Sequence, residues 1–132
     1  MTRHRHLLRQ VRHLGLYTSD KEAERVLHTV LAVLGSQLTS DERGDLAAAL
    51  PERERITFAS QIPLPEPVAA PAFVETVAHA LNTSLTTARW DTSSVLAALA
   101  ALDRDGLIDR ILTRLPRGYA LLFGRADLAP AA

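Results

Sequence analysis

Three histidines and four arginines crowd the first seventeen residues, and no acid lies among them. The imidazoles of His4, His6 and His13 are the chain's nearest approach to a metal-ligand set. On a helix, however, His4 and His6 point about 200° apart, and no carboxylate is close by in sequence, so no metal site is predicted. Arg3, Arg5, Arg9 and Arg12 suit anions instead, because a guanidinium offers paired N–H donors to carboxylates and phosphates. They are the candidate contacts to an anionic partner, which would bind more strongly as the histidines protonate. The plainer alternative is a solvated helix face that pairs with the acidic segment following it. His28 reads as a partly buried, hydrogen-bonded histidine, and Glu75 with His79, four residues apart, as a surface pair. Trp90, the only tryptophan, is either core packing or, where exposed, an anchor for a partner. Tyr119, just past Pro116, is expected to close the base of the fold with Phe123.

Other chemistry lacks its residues. No Gly-x-Ser-x-Gly elbow, phosphate loop, dinucleotide fingerprint or His-Glu-x-x-His sequence occurs. The six glycines are isolated, and Gly15 reads as the C′ residue that ends the first helix. The absence of cysteine removes disulfides, thiolate zinc sites, iron–sulfur clusters and a cysteine nucleophile. No catalytic residue, cofactor or metal is assigned, and a non-enzymatic protein is expected. Net charge is zero, yet residues 1–17 carry +4, residues 18–60 carry −3 and residues 61–132 carry −1. The longest apolar run, residues 95–102, is eight residues long, where a membrane span needs about twenty. Basic residues interrupt the apolar positions at the start of the chain, so it does not read as a signal peptide, and a cytoplasmic protein is expected.

These residues need elements to position them, and the composition points to helices. Leucine and alanine supply 43 of the 132 residues, and both rank high in helix propensity. Leu7, Leu8, Val11 and Leu14 mark one face of a first helix. Ser19 with Glu22 has the capping-box spacing and opens a helix to about Leu38, apolar over most of its girth, as suits the middle of a bundle. Thr39 with Glu42 repeats that spacing before a helix carrying Leu46, Ala49 and Leu50. Pro51 then starts a short turn with Ile56 and Phe58. Four prolines between residues 61 and 71 make that stretch an extended connector. Beyond it, a helix opens at Pro71 with Phe73, Val77, Ala80 and Leu81. Thr83 and Ser84 cap a long helix through Leu102, Asp103 or Asp105 begins another that ends at Pro116, and a last turn holds Tyr119, Leu122 and Phe123.

The second half repeats the first. Sliding the sequence by 65 residues gives eleven identities in the 53 pairs from 8/73 to 60/125. They fall on caps, on apolar stripes, and on the markers Leu50, Pro51 and Phe58 against Leu115, Pro116 and Phe123. Trp90 aligns with Arg25. The predicted fold is therefore an all-α bundle of two pseudo-twofold-related three-helix repeats, each closed by a short turn that starts at Leu-Pro. Repeat one covers residues 1–60, the proline-rich connector 61–71, repeat two 72–125 and a flexible tail 126–132. A unit of about 60 residues is marginal alone, which favours one shared core built on the two long helices.

The run EAERVLHTVLAVLGSQLTSDERGDLAAALP, together with AALDRDGLIDRILTRLPRGYALLFG in the second half, resembles the domain of unknown function 2267 family over about residues 5 to 124. The departures are Trp90 in place of the first repeat's Arg25, and Leu85-Thr86-Thr87 in place of the acidic capping segment. The resemblance implies an all-helical fold of bacterial origin and implies no reaction, cofactor or partner. The expected function is an interaction or scaffolding module that binds a protein partner or itself, with no membrane. A weak nucleic-acid or anionic-surface binder acting through the basic first helix is the alternative, and small-ligand binding between the repeats is a second one.

Overall fold

A computed structural model describes residues 2–103 and 105–125, which form eight helices and no strand. The predicted tail, 126–132, lies outside the described residues. Helix α1 (Arg3–Gly15) is capped by the Thr2 side chain, which accepts from the Arg5 amide, and it buries Leu7, Leu8 and Val11. The left-handed residue that ends it is Leu16, at φ 56°, and not Gly15. Gly15 lies inside the last turn with the Tyr17 ring folded across it, where a Cβ would collide with that ring.

Helix α2 (Asp20–Gly35) starts where the capping signal places it, with the Glu22 amide donating to Ser19 Oγ at 3.1 Å. It ends at Gly35, short of Leu38, and the Phe58 carbonyl occupies the space a Cβ would need at Gly35. Helix α3 (Ser40–Ala49) departs from its predicted cap. Thr39 sits at the N-cap without a side-chain bond, and Glu42 turns instead toward Arg114 Nε at 3.5 Å. The short turn after Pro51 is a full helix, α4 (Glu52–Ala59), and Pro51 precedes its first turn. It buries Phe58 and leaves Ile56 exposed.

The proline-rich connector is extended and pinned to the body. The Leu64 amide donates to the Ser36 carbonyl at 2.9 Å, and the Val68 amide donates to Oε1 of the buried Gln37 at 2.7 Å. Helix α5 (Ala70–Leu81) carries Pro71 in its first turn and buries Phe73, Val74, Val77, Ala78 and Leu81, whereas the predicted Ala80 is exposed. Ser84 caps α6 (Leu85–Ala100) by accepting from the Thr87 amide at 3.1 Å. Neither Asp103 nor Asp105 begins α7 (Leu107–Arg114). Asp105 and Gly106 turn the chain through left-handed conformations, and Asp103 Oδ1 accepts from the Ile108 amide at 3.2 Å. Helix α8 (Tyr119–Leu122) is the last among the described residues. The fully buried Tyr119 packs edge-on against Phe73, at 5.7 Å between ring centres, within the buried cluster that also holds Phe123. Its hydroxyl donates to the Val68 carbonyl at 2.7 Å.

The result is a helical bundle in which α1 and α5 each pack against both long helices, α2 and α6. Apolar side chains from the whole described chain join one buried cluster, with Leu27, Val30, Leu31 and Leu34 of α2 beside Val95, Leu96 and Leu99 of α6. Each such side chain taken from water contributes about 1.5–3 kcal/mol. One arginine closes two helix ends. Arg43 donates to the carbonyls of Gly35, Leu38, Phe58, Ala59 and Gln61, with its guanidinium 5.1 Å from the centre of the Phe58 ring. A cation there meets the partial negative charge at the C-terminal ends of α2 and α4.

Candidate functional site

The turn from α1 into α2 is tied down by Arg12. Its guanidinium donates to the Tyr17 carbonyl at 3.3 Å, the Thr18 carbonyl at 3.0 Å and Asp20 Oδ1 at 2.9 Å. With the chain so held, the Tyr17 ring lies over Gly15 and its hydroxyl donates to Asp91 Oδ1 at 2.6 Å. Asp91 is nearly buried on α6. Burial pushes its carboxyl above the usual range against the opposing hydrogen bond from Tyr17. Burial first, then Asp91, pushes the Tyr17 phenol upward as well.

Next to Asp91, the Trp90 indole N–H donates to the Gly15 carbonyl at 3.0 Å. The ring is therefore fixed at one edge although 51% of the residue is exposed. Alongside lies a solvent-open groove of about 480 Å³ lined by Arg9, Arg12, His13, Leu16 and Tyr17. Leu16 is 74% exposed. The corner thus combines an anchored indole, an exposed leucine and cationic side chains, which suits recognition by contact.

The structure separates the four candidate arginines. Arg3 is drawn to the far end of α3, where it donates to the Ala49 carbonyl at 2.6 Å. Arg12 is committed to the turn. Arg5 and Arg9 are exposed, and neither has a hydrogen-bond or ion-pair partner among the described residues. Arg9 and Arg12 meet in the groove, close to the Trp90 contact on Gly15. The markers Leu50, Pro51, Phe58, Leu115 and Phe123 are buried and Pro116 is half-buried, so all six serve the core. Sequence reading missed Leu16, Tyr17 and Asp91. Tyr17 and Asp91 are 74 residues apart, and no local pattern links them.

The histidines disperse. His4 Nδ1 donates to Glu54 Oε1 at 2.5 Å, while its Nε2 accepts from Arg53 at 3.2 Å, which fixes the tautomer. Glu54 is fully buried on α4, and Arg53 also pairs with Glu24. His28 Nδ1 meets Thr57 Oγ1 at 2.7 Å. His6 and His13 are exposed, as are Glu75 and His79, which form no ion pair. Among the described residues, no group of three or more acids or histidines is placed to hold a metal ion. No helix there is long and apolar enough to cross a membrane.

No curated protein matches this chain. The model of the family described as "Uncharacterized conserved protein (DUF2267)" matches residues 4–122, nearly the whole sequence, and the chain belongs to that family.

Proposed function

We propose that this chain is a non-enzymatic interaction module, one three-helix unit written twice, which binds a protein partner at the corner where α1 ends against α6. The observation that carries the reading is the pairing of two contacts. Trp90 donates to the Gly15 carbonyl at the end of α1. Arg25, aligned with it in the first half, donates to the Leu81 carbonyl at the end of α5, at 3.3 Å. An arginine therefore fulfils the same carbonyl-binding duty in one half. The indole in the other half is surplus to that duty, and a rigid, half-exposed tryptophan is the residue type that anchors interfaces.

Element bounds support the duplication: α2 and α6 are each 16 residues long and start at Asp20 and Leu85, which keeps the 65-residue offset of the sequence. The ion pair Arg110–Asp45, at 2.8 Å, joins two positions 65 apart, as expected for residues facing each other across a pseudo-twofold axis. The reading goes with a cytoplasmic protein of bacterial origin. Nucleic acid has less support, because Arg3 and Arg12 are already occupied and two remaining arginines make few phosphate contacts. A ligand between the repeats has less as well, since leucine and valine side chains fill the space where α2 and α6 meet.

A photo-crosslinking residue placed at Arg89, the exposed neighbour of Trp90, tests the reading in native lysate, with the same residue at Glu75 on α5 as control. A discrete protein adduct from position 89 and none from 75 is expected. Equal labelling from both positions, or none from either, would contradict it.

A further inference from the structure

The geometry points to a definite occupant for the groove: a short acidic segment of a partner protein that carries one apolar side chain. This rests on the reading that the Trp90 corner is the binding face, and it adds the chemistry of what binds.

Leu16 is the first observation. A left-handed backbone is unfavourable for a residue with a Cβ, and asparagine or glycine is the usual occupant. The C-cap of α5 follows that rule with Asn82, at φ 52°. The C-cap of α1 does not: Leu16 holds φ 56° and is also 74% exposed. A leucine at this position gains neither backbone ease nor burial within the chain. The left-handed leucine at the end of α1 and the indole that stands where the first half has Arg25 occur at the same corner. Together they offer an apolar patch that a side chain from outside would cover.

The second observation is charge. Arg5, Arg9 and His13 follow one another at four-residue spacing, so they form one stripe along α1 that runs into the groove. None of the three meets an acid among the described residues. Arg12 beside them is balanced by Asp20, and Glu22 is exposed on the first turn of α2. The unpaired cationic stretch is therefore short, and past Arg12 the surface carries Asp20 and Glu22 with the single Lys21 between them. A polyphosphate chain, charged at every unit, would run from the arginines into Asp20 and Glu22. A peptide with two or three carboxylates followed by an apolar residue matches the stripe and then the Leu16–Trp90 patch.

The third is preorganisation. Trp90 is held by the Gly15 carbonyl, Tyr17 by Asp91, and the turn by three donors from Arg12. The Tyr17 and Arg12 walls of the groove, and the indole beside it, are fixed before anything binds, which reduces the ordering cost of association.

Trp90 is the only tryptophan, so its fluorescence reports on the corner directly. We would titrate the full chain with a synthetic peptide of aspartate and glutamate carrying one leucine, at low and at high salt. The expected result is a saturable spectral change whose affinity falls with salt. Replacing both arginines (Arg5→Gln with Arg9→Gln) should weaken binding about three- to tenfold, as for two screened ion pairs. Leu16→Asn should weaken it roughly tenfold through lost apolar contact, with the melting temperature unchanged or raised. A peptide with its acids changed to amides should fail to bind. The proposal is overturned by no response to the acidic peptide, by tighter binding of a single-stranded oligonucleotide of equal charge, or by Leu16→Asn losing melting temperature along with affinity. If the adduct at position 89 forms while the acidic peptide does not bind, the binding face stands and the acidic class falls. If both are missing, both fall.

Discussion

At the residue scale, the polar groups behave according to how much water they have lost. His28 sits between α2 and α4, facing Glu54 and Glu24, which favour its charged form, and Arg53 and His4, which oppose it. Burial is the largest influence and holds its pKa below the ordinary 6.5. Folding therefore favours the neutral form of His28. Its contribution to stability is fully present above the ordinary value and is lost as pH falls through the titration. Thermal melts from about pH 7 down to about pH 5 should show a melting temperature that falls less steeply for His28→Gln than for the unaltered chain. Identical slopes would rule out this role. Single residues were legible in the sequence where their surroundings are local. The His28 reading needed only its place on an apolar helix. Leu16 was not legible, because nothing in Leu14-Gly15-Leu16 tells which residue turns left-handed. The Tyr17 ring folds back over Gly15, a contact that no local pattern announces.

At the scale of elements, helix starts were readable and helix ends less so. Ser19 and Ser84 act through a backbone amide three residues on, so their signal is contained in the sequence. Thr39 carries the same signal without the side-chain bond: Ser40, the first residue of α3, is left-handed at φ 62°, and the Glu42 carboxylate faces Arg114 of α7. The ends of α2 and α4 depend on Arg43, which binds carbonyls from residue 35 to residue 61. A lysine at that position has one nitrogen where the guanidinium has a planar fork of donors. Arg43→Lys should therefore destabilise the fold by about 2–3 kcal/mol, the scale of lost hydrogen bonds to a charged group, measured by denaturant unfolding. A loss within about 0.5 kcal/mol, the usual effect of surface substitutions, would mean that the clamp is ornamental.

At the scale of the whole molecule, α1 and α5 lie against both long helices, so neither half completes a core without the other. Peptides covering residues 1–60 and 61–132 should each lack a cooperative melt alone, since about 60 residues are marginal, and should regain helix when mixed. Two independently melting halves would contradict the shared core. The helical class was legible from leucine, alanine and their spacing, and the basic first helix from its charge. The candidate site was not, because Trp90 and Gly15 are 75 residues apart and only the packing of α1 on α6 brings them together. The central claim is that the Trp90 indole serves a partner while its N–H serves the fold. Trp90→Arg, which copies the residue that Arg25 supplies in the first half, separates the two roles in one variant. Measured side by side for melting temperature and for capture of the partner identified through the position 89 adduct, it should melt within a few degrees of the unaltered chain, as for a surface change, and lose the partner. Unfolding of the variant, or partner binding that survives the change, would contradict the account.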